Sequence, residues 1–538
     1  GMESPVAVRN FMKNAYDNWQ LPKLKYICLL GRASLDPKKS IASSAYYQNL
    51  VPTYGNPPSD GYFANFNIGT FTYFHQISVG RLPVYNVTEA QNVVNKIISY
   101  DLQSPEKWWK RFIFITGGPD RNQQITFQNK SNNLINQYIA PTPVSGAVSK
   151  IYRNDSTGYI TYNYKDSIKR EFDRGAMIVN FIGHAAAQDW EIGLEDPNSL
   201  NNGGKLPLVL SFTCFTGRNA EPNLRSFGEN FMILPNKCAV GFVGTTGWSF
   251  SGAGDSFNEY ILKNFSRDSV RSIGDMVSFA SKTMSRDSNS FSIRNTINCY
   301  NLIGDPATDL LMPDKPEFDL TQNDYFLSNP FPALGENIKL TVLPKNLGTS
   351  IDSLRIRFNL KKSGVIVDRS DTLIRNFYYL DTLNHFFQID SVGNYDMTVV
   401  LDPNHSYDQK FYNNDSITFP LTLRNLSFVQ LKPLNNALLK TTEFKFTGLN
   451  PNVDQSTNSI KIILQTDTNA NFSSPVLQTF VNSNISGVQS VFNVNIPVQE
   501  LNTVYFLRTS AVINNDSSGW SDISKVIYNP GVSSDIKT

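Results

Sequence analysis

Two stretches decide the fold: Met177-Ile-Val-Asn-Phe-Ile-Gly-His184 and Leu206-Pro-Leu-Val-Leu-Ser-Phe-Thr-Cys214. Each is an apolar run of strand length that stops at a residue with reactive chemistry. A strand wetted on one face would alternate between apolar and polar. These do not, so both faces must be covered. Such strands belong to a mostly parallel sheet packed between helices, where ligands collect beyond the carboxyl ends of the strands. If the two strands are neighbours they lie about 4.8 Å apart, and the imidazole of His184 and the thiol of Cys214 leave the sheet side by side. A histidine so placed can hold a cysteine as thiolate and then protonate a leaving amine. The plain alternative is a small buried cysteine and a histidine satisfied at a strand end.

The sequence on either side repeats the strand-then-helix texture. Ser4-Pro5 reads as a cap and a first-turn proline. It opens an amphipathic helix with Val8, Phe11, Met12, Ala15, Tyr16 and Trp19 on one face. Further strands are expected over 26–30, 77–79, 112–116 and 239–243. Helices are expected after Thr88 and Gln91, read as a capping box, up to Gly175, from Ser226 and Glu229, and over 257–265 and 273–284. The Trp108-Trp109 region reads as the join between two such sheets, one in each of two adjoining α/β units. After Pro313 helical periodicity disappears, and short alternating segments recur at 8–12 residues, the pattern of β-sandwiches. The expected division is 1–105 and 106–315 for the two α/β subdomains, then sandwiches over 316–424 and 425–538.

Composition narrows the function. The 538 residues suggest several domains. Hydrophobic residues make up 40% and charged ones 17%, with a net charge of +2. That balance excludes a disordered chain and carries no field suited to nucleic acid or an anionic membrane. No apolar run approaches the ~18 residues of a membrane helix. Gly1-Met2 reads as an expression scar, and the chain as a piece of a longer precursor, so the missing signal peptide says nothing about compartment. The four cysteines do not make a disulfide framework. Cys28, Cys238 and Cys299 read as core. His75, His385 and His405 lack a cysteine or carboxylate constellation. The run Gly31-Arg-Ala-Ser-Leu-Asp-Pro-Lys-Lys-Ser40 is not a phosphate loop, because Lys38 stands where glycine is needed.

In combination the motifs resemble one family. Gly183-His184 followed by Thr213-Cys214 resembles the caspase-like (clan CD) cysteine peptidases, and within them the gingipains. Pro57-Pro-Ser-Asp-Gly-Tyr62, Val79-Gly-Arg-Leu-Pro-Val84, Ile303-Gly-Asp-Pro306, Trp190 and Thr245-Thr-Gly-Trp248 resemble further stretches of that family, over about residues 4–313. With Tyr47-Gln-Asn-Leu-Val-Pro-Thr-Tyr-Gly-Asn-Pro-Pro58 and the appended sandwiches, the chain is most similar to sortase-like members that serve type IX secretion. The first sandwich is similar to adhesion-related Ig-like domains and the second to fibronectin type III domains.

The resemblance implies a secreted endopeptidase at the outer-membrane surface that removes C-terminal sorting domains, by hydrolysis or by transfer to an amine. Its partners would be protein substrates and the outer-membrane secretion machinery. It implies Cys214 as nucleophile and His184 as proton carrier, with the N–H groups of Ala185 and Cys214 as oxyanion donors. Asp120 is a weak orienter of His184, and Trp248 and Trp190 are weak pocket residues. No cofactor is required. Calcium is compatible with the family, but no ligand spacing places it. Two departures stand out: Ala185 replaces the glycine usual after the histidine, and only Asp120 remains of the acids usual after the strand ending at Thr116. A scaffold with impaired catalysis, or a surface adhesin, stays open on the sequence alone.

Overall fold

The structure is a computed structural model. It describes residues 4–40, 49–67, 74–154, 163–287, 290–330, 332, 336–391, 393–423, 428–451, 460–483, 485, 487–497, 500–513 and 516–531. Tyr47 and Gln48 of the motif quoted above lie outside them.

The first elements are α1 (Pro5–Asn18), β1 (Tyr26–Leu30), β2 (Ser78–Leu82), α2 (Val87–Asp101), β3 (Arg111–Thr116), α3 (Arg121–Leu134), β4 (Ala147–Tyr152) and α4 (Tyr164–Asp173). They continue as β5 (Ile178–Ile182), β6 (Leu208–Phe212), α5 (Phe227–Ile233), β7 (Gly241–Thr245), α6 (Ser251–Ser266), α7 (Ile273–Asp287), α8 (Phe291–Cys299) and β8 (Tyr300–Gly304). The eight strands form one sheet in the order β1-β2-β8-β7-β6-β5-β3-β4. Only β7 and β8 run antiparallel within it. The fold class is therefore the expected α/β one with a mostly parallel sheet. Leu208, Leu210 and Phe212 of β6 point into one apolar layer and Val209 into the other, which is why these runs are apolar throughout.

One continuous sheet, and not two, spans the expected subdomains, and Trp108 and Trp109 are packed in its core. β1 and β2 meet the rest at a single parallel pair, Arg81 with Ile303. Close approach there requires glycine: a Cβ at Gly80 would stand 2.4 Å from the Gly304 carbonyl oxygen. The quoted Gly-Arg-Leu-Pro and Ile-Gly-Asp-Pro motifs are thus two sides of one seam. Arg81 is completely buried. It donates to both carboxylate oxygens of Asp60 at 2.7 Å and to the carbonyls of Gly31, Val51 and Pro52. Asp60 lies in the Pro57–Tyr62 motif, so that motif and the Arg81 motif also meet.

A second buried pair, Arg32 with Glu229 at 2.6 Å, ties the loop after β1 to α5. Ser226 and Glu229 cap that helix reciprocally, as expected. The cap of α2 lies two residues earlier than the sequence suggested. Asn86 accepts from Glu89 N–H, and Glu89 accepts from Tyr85 N–H, so helix geometry begins at Val87 and Thr88 is already inside it. Lys96, fully buried, donates to the carbonyls of Phe231, Met232 and Leu234 at the end of α5. Burial lowers its pKa to about 7.

Past β8 the described residues form mostly antiparallel β-sheets around two further cores, with Ala437–Leu439 and Ser524–Tyr528 paired in parallel. In the first, Ile351–Lys362 pairs with Val365–Phe377 and Gly393–Leu401, which pairs with Ser416–Leu423. In the second, Ile460–Asp467 pairs with Gln478–Ser483 and Thr503–Ile513. No helix among the described residues is long and apolar enough to cross a membrane.

Candidate active site

β5 and β6 are adjacent and parallel, and the register places Ile182 beside Phe212. Two residues on, His184 and Cys214 leave the sheet from neighbouring ends, and both line one cavity of about 100 Å³. His184 is exposed and Cys214 half-buried, so both meet solvent. The Sγ of Cys214 accepts from the Ser249 N–H at 3.4 Å.

The turn after the cysteine is sharp. Phe215 has φ +63°, a left-handed conformation that costs a non-glycine residue about 1–2 kcal/mol. Its N–H is held by the Gly247 carbonyl at 3.1 Å and by Thr245 Oγ1 at 3.0 Å, and its ring meets Trp248 edge-on. The packing overrides the local preference and turns the chain away from the sheet immediately after the thiol.

The imidazole is oriented by an amide. His184 Nε2 lies 2.6 Å from Gln123 Oε1. Gln123 Nε2 donates to Asp120 Oδ2 at 2.6 Å, and Gln123 N–H donates to Asp120 Oδ1. A carboxylate only accepts, so the NH₂ end of Gln123 must face Asp120 and its carbonyl must face the histidine. The proton of the imidazole is then on Nε2, leaving Nδ1 as the basic nitrogen. Hydrogen bonds from Gln123, through its backbone and then its side chain, hold the exposed Asp120 carboxyl below the usual carboxylate range, with His184 adding a smaller push the same way. Asp120 therefore reaches His184 through Gln123, which corrects the expectation of a direct orienter: Asp120 is the N-cap of α3 and its oxygens are turned to the helix.

A second carboxylate was not foreseen. Glu191 Oε1 accepts from the N–H groups of His184 at 2.6 Å and Gly118 at 2.8 Å, and Arg153 lies 3.8 Å from Oε2. Room for it is made by glycine: a Cβ at Gly117 would come within 2.1 Å of Glu191 Oε1, and one at Gly183 within 2.9 Å. Glu191 thus fastens the His184 turn to the loop after β3.

Among the described hydrogen bonds, neither the Ala185 N–H nor the Cys214 N–H has an acceptor. Ala185 is not in the left-handed region, so alanine sits there without the strain that a positive φ would impose.

Comparison with known proteins supplies the identity of the module. Residues 1–311 match the model of Peptidase family C25. The chain belongs to this family of gingipain-like cysteine peptidases. Its fold is similar to gingipain R (RgpB), with 16% identity and a TM-score of 0.48 over 78% of this chain and 88% of that one. It is likewise similar to the complex of Porphyromonas gingivalis RgpB pro- and mature domains, with 16% identity and a TM-score of 0.46 over 78% and 90%. A CARDB domain from Pyrococcus furiosus is similar to 20% of this chain over 94% of its own length, at 15% identity and a TM-score of 0.18. No curated protein matches.

Within this C25 chain the tryptophans separate. Trp190 is not a pocket residue. It is 1% exposed, stacks on Phe181 at 4.4 Å and donates from Nε1 to Ser211 Oγ. Its bridges to Ala185 and Leu194 brace the loop that carries His184 from beneath. Trp248 is exposed beside the Cys214 turn. The other cysteines also divide. Cys238 and Cys299 are buried, and burial pushes their thiols up to about 12 and about 11. Cys28, expected in the core, keeps an exposed face on β1, yet desolvation by its neighbours pushes its thiol up to about 12 as well. Of the remaining histidines, His75 is buried and pushed down to about 4, and His385 stacks on Phe358 in the first sandwich. Among the described residues no group of three or more acidic, histidine or cysteine side chains could hold a metal ion.

If Gln123 fixes the tautomer, Gln123→Ala lowers kcat by about 10-fold to 100-fold, whereas Asp120→Ala lowers it by less than about 3-fold. Circular dichroism should show α3 intact in both. Equal losses would mean that the carboxylate, not the amide, orients the ring.

Proposed function

We propose that this chain is a secreted cysteine endopeptidase acting at the outer-membrane surface, where it removes C-terminal sorting domains from proteins exported by type IX secretion. The observation that carries the chemistry is that Cys214 and His184 stand at adjacent strand ends and face one open cavity. In this reading His184 Nδ1 takes the thiol proton, and the thiolate attacks the scissile carbonyl carbon. The carbonyl oxygen becomes an oxyanion held by the N–H groups of Cys214 and Ala185. Collapse breaks the C–N bond, His184 returns the proton to the departing amine, and a thioester remains on Cys214. Water, deprotonated by the same imidazole, gives a carboxylic acid. An amine attacking the thioester instead gives a new amide, and the free thiol returns.

Incubation of the purified protein, under reducing conditions, with an exported precursor that carries its sorting domain tests the reading. The expected result is release of the C-terminal domain, and an amide adduct on the remaining chain when a small primary amine is added. Failure to cleave any such precursor would argue for a docking role instead.

A further inference from the structure

The cavity beside Cys214 is bordered by an ion pair whose side chains are 26% and 34% exposed. Lys130 on α3 contacts Asp255 on α6 at 2.6 Å and donates to Ser251 Oγ at 2.7 Å. Apolar walls come from Phe127, Ile182, Phe212 and Tyr300. A second cavity of about 190 Å³ lies behind the pair, lined by Asn133, Gln137, Asn258 and Glu259. Lys130, Ile182 and Asp255 line both cavities. The ion pair is therefore a partition across one cleft between α3 and α6.

We propose that a peptide whose scissile carbonyl sits on Cys214 lays the side chain next to the cleaved bond in this cleft, and that the Lys130–Asp255 pair is the specificity gate of the site, restricting that position to small uncharged side chains and rejecting arginine and lysine. The inference rests on the peptidase reading above and adds its substrate class. Three physical points support it. The front cavity, about 100 Å³, is smaller than the ~150 Å³ that accepts a benzene ring, so large rings are excluded. The one carboxylate on the front cavity, Asp255, is already paired with Lys130, so an arriving guanidinium has to compete with an ammonium before it gains a partner. An arriving carboxylate meets the same closed pair and has to displace Asp255 from Lys130 before it gains a partner. Small neutral side chains pay neither cost and find the Ser249 and Ser251 hydroxyls. Glu259, which could receive a long cationic side chain, accepts from Tyr138 on the far side of the partition.

The test labels Cys214 with peptidyl chloromethyl ketones that differ only at the residue adjoining the ketone: alanine, serine, asparagine, phenylalanine, aspartate, lysine and arginine. Wild-type protein should react fastest with the small neutral probes, at least about 10-fold faster than with arginine or lysine. Lys130→Ala opens the cleft and frees Asp255. It should raise the arginine and lysine rates about 10-fold or more while changing the alanine rate by less than about 3-fold. Asp255→Asn should not gain basic probes, because Lys130 remains in their way. Retained labelling by the alanine probe shows that each variant is folded. Fastest wild-type labelling by a basic probe, or an unchanged order in Lys130→Ala, overturns the gate and leaves the peptidase reading standing. No labelling of Cys214 by any probe overturns both.

Discussion

Cys214→Ala is expected to abolish peptide-bond cleavage, and His184→Ala to lower kcat/KM by about 10,000-fold. Removing the nucleophile of a covalent mechanism costs up to about 10⁶ in kcat, because no other group forms the acyl intermediate. Among the described cysteines no second thiol can substitute. Cys238 and Cys299 are buried with raised pKa values, and Cys28 lies on β1, at the far end of the sheet from β5 and β6. Loss of the histidine removes both the base that makes the thiolate and the acid that frees the amine, each worth about 10² to 10⁴. The two losses should not add in the double variant, since the residues act as one unit. Steady-state hydrolysis of a peptide bearing a small neutral residue at the cleavage position gives all three numbers.

The second large effect is on stability. Asp60→Ala should cost the peptidase module about 3–5 kcal/mol, because Arg81 is left charged, buried and without its carboxylate. Three carbonyls still accept from the guanidinium, yet none neutralises it. Asn219 also loses an acceptor. At roughly 2–4 °C per kcal/mol for a unit of this size, the melting temperature should fall by roughly 10 °C. Adding Arg81→Met should recover part of the loss, because the uncompensated charge is gone. Thermal unfolding followed by calorimetry checks both. A single variant as stable as wild type would mean that the seam between β2 and β8 is held by packing alone.

The α/β sheet was legible because β5, β6 and β7 are buried on both faces, which forces unbroken apolar runs on the sequence. His184 and Cys214 were legible because each stands where such a run stops. The other wall of the site was not. α3 carries Gln123, Phe127 and Lys130, yet its sequence Arg-Asn-Gln-Gln-Ile-Thr-Phe-Gln-Asn-Lys-Ser-Asn-Asn-Leu is mostly polar, so no apolar face announces a helix. One signal was available: Asp120 followed three residues later by Gln123 is a capping pattern, and it begins that helix. Glu191 escaped because its role depends on space left by Gly117 and Gly183, which are 66 residues apart in sequence. Trp190 was misplaced because a large aromatic residue near a strand-end histidine reads equally as a pocket wall or a brace. The stack on Phe181 decides for the brace. Cys28 was assigned to the core from its mid-strand position, but β1 is an edge strand with one side uncovered.

The central claim is that His184 activates Cys214. It is tested most directly by the alkylation rate of each cysteine with iodoacetamide at neutral pH, read by mass spectrometry of the folded protein, in wild type and in His184→Ala. Cys214 should be modified first, at least about 10-fold faster than the exposed Cys28 and far ahead of Cys238 and Cys299, and His184→Ala should bring Cys214 down to the rate of Cys28. If Cys28 reacts as fast as Cys214 in the wild type, or if removing His184 leaves the Cys214 rate unchanged, the pair is not a catalytic unit.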